Sequence, residues 1–261
     1  MKVYLNGTLV DQDNACIDPM DRGLLLGDGL FETIRVEDGE PARIDRHLPR
    51  LNHGCGVLGM NFPQALMLAI TETIAANKVT NGVLRLTVTR GPGPRGVLPP
   101  KEPKQTVIIS VTPSEARATN PLKAVIAETT RRHEFSPLAQ CKSLNFLDNI
   151  IARQEAADQG ADEALLLNTA GNLAEATAAN LFLVIDDMLL TPPISDGALP
   201  GVMREEILPE ADEQTLRPDD LARASEAFLT NSLGVRPLVI VDGNPIGDGF
   251  PGPVTKKYLD K

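Results

Sequence analysis

Tryptophan is absent from the 261-residue sequence, and aromatic residues make up only 3% of it. Proteins that bind single-stranded nucleic acid without sequence preference stack the bases on aromatic side chains, so this composition disfavours that class. Basic residues are also in the minority, because 25 lysines and arginines face 35 acidic residues, for a formal net charge of −10. We therefore expect neither nucleic acid nor an anionic membrane as a partner.

Cysteines and long apolar runs are scarce as well. The three cysteines (Cys16, Cys55 and Cys141) are odd in number and scattered, which indicates neither a disulfide framework nor a metal cluster. No apolar run approaches the length that crosses a membrane, and the first ten residues lack the apolar core of a signal peptide. The histidines are isolated, so we predict no metal site, and the predicted compartment is the cytoplasm.

The most informative stretch runs from Cys141 to Val184. Lys142 lies just before a predicted helix, whose apolar positions are Leu144, Leu147, Ile150 and Ile151. Strands are predicted over 163–167 and 181–184, and Glu175 lies between the intervening turn and the second strand. A lysine can form a Schiff base with a carbonyl cofactor, and a carboxylate nearby can pair with the ring nitrogen of that cofactor. As isolated residues, both types are more often solvated surface groups.

Further elements follow from local patterns. Residues 30–36 predict a strand, and its period of two puts Phe31, Thr33 and Arg35 on one face. Residues 44–58, which include Arg50, read as helical, although an internal proline leaves open one helix or two short pieces. Helices are also predicted over 62–76 and 223–227.

Two segments are candidates for holding an anion. Residues 90–96 are predicted to form a loop whose prolines limit its conformations. Such a loop suits the presentation of the Arg95 guanidinium to an anionic ligand. Composition alone, however, favours a solvated surface loop. Residues 199–203 open a predicted short helix, and the free N–H groups at a helix start bind anions such as phosphate. An ordinary helix N-terminus is the competing interpretation of that segment.

Seven stretches between Asn6 and Gly243 together resemble the class IV, fold-type-IV pyridoxal-phosphate (PLP) enzymes. The stretches are DRGLLLGDGLFETIRV, RHLPRL, TRGPGPRG, KSLNFLDNIIARQEA, EATAANLFLV, LPGVMREEI and NSLGVRP. The family includes D-amino-acid, branched-chain and R-amine transaminases and 4-amino-4-deoxychorismate lyase. Each stretch alone is a weak signal, whereas all of them in the family's order are a specific one.

The resemblance implies two sets of site residues. The cofactor set comprises Arg50, Lys142, Glu175, Val202, Met203 and Ser232. The substrate set comprises Phe31, Thr33, Arg35 and Arg95. Lys142 would be the catalytic residue that forms the Schiff base and moves the substrate α-proton, and Glu175 would pair with the pyridinium nitrogen. The rest of the cofactor set would hold the phosphate group, and the two arginines of the substrate set would recognise carboxylates.

The motifs point to different members of the family. Phe31 replaces a tyrosine of some relatives, and Val97 replaces a histidine of the D-amino-acid type. Residues 176–178 lack the Gly-x-Gly of the branched-chain type. DRGLLLGDGLFETI, EATAANLF and NSLGVRP look most like the lyase, whereas KSLNFLDNIIARQEA looks more like the transaminases. The main hypothesis is a PLP-dependent aminotransferase of an amino acid or amine and a 2-keto acid; the alternative is 4-amino-4-deoxychorismate lyase.

The family fold is a mixed α/β (α+β) fold of two domains. We predict a small N-terminal α+β domain over residues 1–114, a linker over 115–121, and a larger C-terminal, PLP-binding α/β barrel-like domain over 122–261. The cofactor would lie in the cleft between the domains. A homodimer is expected, in which the loop with Arg95 completes the partner's site. A PLP-binding homologue without turnover is a third possibility, but the intact Lys142, Glu175 and Arg50 argue against it.

Overall fold

A computed structural model describes residues 1–114 and 119–259, and these fall into two compact units. The first unit contains residues 1–114 and 141–145, and the second contains 119–140 and 146–259. The first four residues of the predicted linker, 115–121, lie outside the described part of the chain, and the domain limits remain a prediction. The short segment that contains Lys142 belongs to the first unit, although the predicted limits assign it to the C-terminal domain.

The first unit is built on an antiparallel sheet with the strand order β2-β1-β6-β5-β3-β4 among its described residues. The strands are β1 (Lys2–Leu5), β2 (Thr8–Asp11), β3 (Gly29–Glu37), β4 (Glu40–Pro41), β5 (Gly82–Thr89) and β6 (Thr106–Pro113). The helices of this unit are α1 (Arg22–Leu26), α2 (Ile44–Leu58) and α3 (Leu66–Asn77). Because side chains alternate along a strand, one face of the sheet supplies apolar residues such as Ile34 and Leu86 to a core shared with α2 and α3.

The structure decides between the two alternatives for one helix of this unit and corrects the predicted start of another. The segment 44–58 is one continuous helix despite Pro49, which is exposed and lies within the second turn. The segment predicted to be helical from residue 62 begins only at Leu66. Ala65 adopts a left-handed backbone with φ 57°, which an α-helix cannot continue, so Pro63 lies outside the first turn and the predicted start is wrong.

The second unit contains a larger, mostly buried sheet. Its described strand order is β12-β11-β10-β13-β14-β7-β8-β9, with β15 beside β14. The strands are β7 (Leu122–Ile126), β8 (Glu163–Leu167), β9 (Leu173–Ala176), β10 (Asn180–Ile185), β11 (Met188–Thr191), β12 (Asp212–Glu213), β13 (Glu226–Asn231), β14 (Gly234–Val241) and β15 (Asn244–Pro245). The helices are α4 (Leu147–Asp158), α5 (Val202–Ile207) and α6 (Pro253–Tyr258).

Curvature of this sheet confirms the predicted mixed α/β, barrel-like architecture. Strand β9, at the end of the order, also contacts β10. Strands β8 and β10 are buried along their whole length, as expected for strands covered on both faces. The helix predicted over 223–227 is wrong, because Glu226 and Ala227 pair with β10 as the start of β13 and this pairing overrides the local preference.

Helix α4 turns its large apolar residues outward. Leu147, Ile150 and Ile151 are 72%, 47% and 44% exposed, whereas the buried side of the helix is formed by Asn149, Ala152 and Ala156. The apolar positions predicted from spacing therefore do not face the core of this unit. No helix in the described residues is both long enough and apolar enough to cross a membrane.

Candidate active site

The segment that carries Lys142 pairs with the start of β3. The N–H of Phe31 donates to the carbonyl of Lys142 at 2.9 Å, and the N–H of Leu144 donates to the carbonyl of Gly29 at 3.0 Å. Helix α4 begins only at Leu147. The prediction that Leu144 belongs to this helix is therefore wrong, and two strand-type hydrogen bonds fix the backbone around Lys142 instead.

Gly29 makes this close approach possible. A Cβ atom at this position would lie 2.6 Å from the carbonyl oxygen of Val88 and 2.9 Å from Cδ1 of Leu144. A larger residue would push β5 or the Lys142 segment away from β3. The last glycine of the Gly-Asp-Gly motif thus has a steric function next to the lysine.

One face of β3 carries Phe31, Thr33 and Arg35, as the period of two predicts. Arg85 of β5 stands opposite Thr33 in the antiparallel register, so its side chain belongs to the same face. The Nζ of Lys142 lies 4.4 Å from the ring centroid of Phe31, and the guanidinium carbon of Arg85 lies 3.9 Å from it. Two cationic side chains therefore meet at one aromatic ring.

The two arginines of this face have different surroundings. Arg35 donates from Nε to the carboxylate of Glu37 at 2.6 Å. Arg85 is exposed, and among the described residues no carboxylate pairs with it. Partial burial lowers the pKa of Arg85, but a guanidinium stays charged at neutral pH. Sequence reasoning missed Arg85, because its place opposite Thr33 follows from strand pairing and not from any local motif.

Arg50 of α2 is held by a carboxylate of the first unit. Its Nε donates to Oε1 of Glu32 at 2.9 Å, and its Nη2 donates to Oε2 at 2.5 Å. The Nδ1 of His47 lies 2.7 Å from the same Oε2. Burial opposes the charged form of Glu32, but the hydrogen bonds of His47 and Arg50 outweigh it, and the pKa of Glu32 is lowered.

The exposed loop that carries Arg95 is tied down by a charged cluster. Arg22 donates to the carbonyl groups of residues 96 and 97, each at 2.8 Å. The Nε atoms of Arg22 and Arg90 both donate to Oδ2 of Asp28, again at 2.8 Å. This cluster fixes the backbone of the loop, while the Arg95 side chain itself is exposed.

In the second unit, Glu175 lies on its own strand, β9, and its side chain is buried. Nε of Arg132 lies 3.0 Å from Oε1 of Glu175, and the N–H of Leu199 donates to Oε2 at 2.9 Å. Arg132 also donates to the carbonyls of Ala139 and Gly197, at 3.0 Å each. The carboxylate is thus oriented by donors from two different loops. Arg132 was missed as well, since no spacing in the sequence links it to Glu175.

The same unit places the remaining cofactor residues at a helix start and in a tight turn. Val202 and Met203 open α5, and Gly201 before them has no side chain that could cap the helix. The first N–H groups of α5 therefore need an acceptor from elsewhere. Ser232 is half-buried in the turn between β13 and β14, where the N–H of Leu233 donates to the Asn231 side chain at 2.9 Å.

Each unit by itself contains chemical groups that suit PLP. The first has an amine at Lys142, which suits the aldehyde, and an oriented guanidinium at Arg50. The second has a buried carboxylate at Glu175, which suits the ring nitrogen, and an uncapped helix start, which suits the phosphate. The residues present fit this cofactor. In residues 1–114 and 119–259, no group of three or more potential metal-ligating side chains is close enough to hold a metal ion.

Comparison with known proteins shows the family to which the chain belongs. Residues 29–241 match the model of the family described as amino-transferase class IV. The D-alanine aminotransferase of Bacillus licheniformis is 32% identical, over 98% of this chain and 94% of that protein. The crystal structure of the Escherichia coli branched-chain amino acid aminotransferase superposes with a TM-score of 0.92 at 30% identity, over 98% of this chain and 91% of that chain. The 4-amino-4-deoxychorismate lyase of Pseudomonas aeruginosa superposes with a TM-score of 0.85 at 34% identity, over 99% and 97%.

Fold, site chemistry and family match together define a class of PLP-dependent enzyme. The chain belongs to the amino-transferase class IV family. It is an enzyme of the aminotransferase type, which exchanges an amino group between an amino acid or amine and a 2-keto acid.

Proposed function

We propose that this chain binds PLP and uses Lys142 as the catalytic residue of amino transfer. The observation that supports this most is the hydrogen-bonded pairing of the Lys142 segment with β3, which places Nζ beside Phe31 on the face shared with Arg85. When bound, PLP supplies a carbonyl group for amines and a ring that accepts electrons from the substrate α-carbon. Nζ of Lys142 is the group that takes and returns the proton at that carbon.

The other cofactor residues hold the two ends of PLP in this proposal. Arg50, the N–H groups of Val202 and Met203, and the hydroxyl of Ser232 bind its phosphate. Glu175 accepts a hydrogen bond from the protonated ring nitrogen. Arg132 supports this role, because a guanidinium 3.0 Å from the carboxylate favours its charged form.

We further propose that Arg85 recognises a carboxylate of the substrate. Arg85 is permanently charged and lies on the sheet face that carries Phe31, next to Lys142. It has no ion-pair partner among the described residues, so it suits a dicarboxylic keto or amino acid as the substrate. Phe31 and Thr33 line the same pocket. Arg35 contributes less in this proposal, since Glu37 already balances its charge. Arg95 presents a second carboxylate-binding guanidinium from its loop.

A homodimer in the cytoplasm completes the proposal. Leu24, Leu25 and Leu26 of α1 are 69%, 54% and 46% exposed, and the outward apolar face of α4 is a second such surface. Apolar surface of this extent is typical of subunit contacts. Among the described residues no cysteine forms a disulfide bond, which suits a reducing compartment.

Lyase chemistry is the alternative that has specific support, from the 34% identity to the Pseudomonas aeruginosa enzyme. To decide, the absorption spectrum of the PLP-loaded protein would be followed during separate additions of D-alanine, L-leucine, an R-amine and aminodeoxychorismate. Conversion to the pyridoxamine form by one amine, reversed by a keto acid, would support transfer and identify the donor. Pyruvate release from aminodeoxychorismate, with no conversion by any amine, would replace our proposal with the lyase.

The role of Lys142 has its own test. Lys142→Ala should lose the absorption band of covalently bound PLP and at least about 1,000-fold in turnover, since both the covalent anchor and the proton carrier are gone. Lys123→Ala, an exposed lysine of β7, is the matched control and should retain both. Full turnover by Lys142→Ala would contradict the proposal.

A further inference from the structure

A buried carboxylate lies on the side of β3 opposite to the proposed substrate face. The strand period that turns Phe31 and Thr33 to one face turns Glu32 to the other, among the apolar side chains of Leu30 and Ile34. The residue is 0% exposed. Burying a charged carboxylate in such surroundings costs free energy of folding unless the carboxylate is paired and hydrogen-bonded. The partners of Glu32 therefore explain how its charge is tolerated in this core.

The partners of Glu32 both come from one face of α2. His47 and Arg50 are three residues apart and therefore neighbours on the helix surface. Arg50 approaches the carboxylate edge-on, with Nε 2.9 Å from Oε1 and Nη2 2.5 Å from Oε2, while Nδ1 of His47 lies 2.7 Å from Oε2. Two parallel bonds to a planar guanidinium fix both its position and the plane in which it lies.

This geometry bears on what Arg50 can do. An arginine side chain loses rotamer entropy when it is ordered around a ligand, and a group that is already oriented avoids that loss at the moment of binding. The edge of the guanidinium used by Glu32 is the one formed by Nε and Nη2. The two N–H groups of Nη1 and the second N–H of Nη2 lie outside that edge of the planar group.

We propose that Glu32, assisted by His47, is a positioning residue that orients Arg50 for the phosphate group of the cofactor. This inference rests on the proposed phosphate role of Arg50. A purely electrostatic view gives the opposite expectation: Glu32 partly neutralises Arg50, so removing its charge would strengthen phosphate binding. The sign of the change in affinity therefore separates an orienting carboxylate from a merely neutralising one.

The test compares PLP with pyridoxal, which lacks the phosphate group. Dissociation constants of both are measured by absorbance titration of the full-length protein after PLP removal. Glu32→Gln should weaken PLP binding about 10-fold or more, the size expected when a charge-assisted hydrogen-bond pair is lost, and change pyridoxal binding less than about 2-fold. Asp45→Asn, the same chemical change at an exposed position of α2, is the control and should alter neither constant.

Three further single variants and one double variant keep the outcome interpretable. Glu32→Asp retains the charge and should recover part of the lost PLP affinity. His47→Gln leaves Glu32 intact and tests the same orientation if Glu32→Gln does not fold; it should weaken PLP selectively, by a smaller factor. Arg50→Lys tests the proposed function itself, and Glu32→Gln added to Arg50→Lys should weaken PLP binding little further, because the two act through one guanidinium.

Two results would overturn the inference and leave the proposed function in place. One is PLP binding by Glu32→Gln that equals or exceeds that of the unaltered protein. The other is an equal loss of PLP and pyridoxal affinity, as expected for general damage to the fold. In both cases Arg50→Lys must still weaken PLP selectively. If Arg50→Lys leaves the preference for PLP over pyridoxal unchanged, the phosphate role of Arg50 is itself wrong.

Discussion

Arg85 and Arg35 belong to one face of the sheet, and among the described residues a carboxylate pairs with Arg35 but not with Arg85. We expect Arg85→Met to raise KM for a dicarboxylic keto acid by about 10- to 100-fold, because a charge-assisted hydrogen bond to the substrate is lost. KM for a branched-chain monocarboxylic keto acid should stay within about 2-fold, since it offers no second carboxylate. Steady-state kinetics of both substrates, with Arg35→Met as the comparison, would check this. Equal changes for both substrates would contradict the assignment.

Asp28 allows a pH-dependent prediction at the same scale. Burial raises the pKa of its carboxyl, but the hydrogen bonds from Arg90 and Arg22 outweigh this, and the pKa is lowered. A lowered folded-state pKa means that the ionised group stabilises the fold above its ordinary pKa of about 3.9, and that this contribution disappears as the pH falls through the folded value.

Asp28→Asn should therefore destabilise the protein by about 3 kcal/mol at pH 7, since it leaves two nearly buried guanidinium groups without their shared carboxylate. The difference from the unaltered protein should shrink as the pH falls below about 4. Urea unfolding at several pH values measures it. A difference that is constant with pH would mean that the loss reflects packing and not charge.

At the residue scale, sequence reasoning singled out some candidate site residues and missed others. Lys142, Glu175 and Arg50 were singled out because they stand in family motifs. Arg132, Arg85 and Glu32 were not, because each meets a predicted site residue (Glu175, Phe31 and Arg50, respectively) only through the fold. The strand period turns Glu32 to the face opposite to Phe31, but nothing in the sequence says that α2 brings a histidine and an arginine to it.

At the scale of elements, the close contact at Gly29 gives a stability prediction. Gly29→Ala should destabilise the protein by about 2 kcal/mol, because its Cβ would lie 2.6 Å from a backbone oxygen that cannot move without its strand. Gly56→Ala is the control: nothing lies within 4 Å of a Cβ there, and alanine favours the helix. Thermal midpoints of both variants check this. A loss for Gly56→Ala equal to that for Gly29→Ala would contradict the steric explanation.

Strands were predicted from sequence better than helix limits. The strands over 30–36, 163–167 and 181–184 all lie within or coincide with β3, β8 and β10, because their apolar or β-branched runs become buried strands. The starts of α3 and α4 were misplaced. The start of α3 is set by the left-handed backbone of Ala65. The start of α4 is set by the pairing of the preceding chain with β3. Neither feature follows from helical periodicity.

At the scale of the whole molecule, the exposed leucines of α1 are the feature that most needs a partner. Leu25→Glu should shift the protein toward the monomer, because a charge would be buried at the proposed subunit contact. Analytical ultracentrifugation over a range of concentrations measures this. Ala76→Glu, which adds the same charge at an exposed position of α3, should leave the oligomeric state unchanged. A monomeric unaltered protein would rule out the proposed homodimer.

The membership of residues 141–145 in the first unit also has a consequence for how the chain is made. A ribosome releases the polypeptide from its N-terminus, so residues 1–114 emerge well before the segment whose backbone pairs with Gly29 and Phe31. During synthesis, the unit that contains the proposed acid–base group, Lys142, cannot complete its fold until residues 141–145 have been made. After a proteolytic cut in the region 115–121, the N-terminal fragment would lack that closing segment, so the covalent break would separate Lys142 from the strand that positions it.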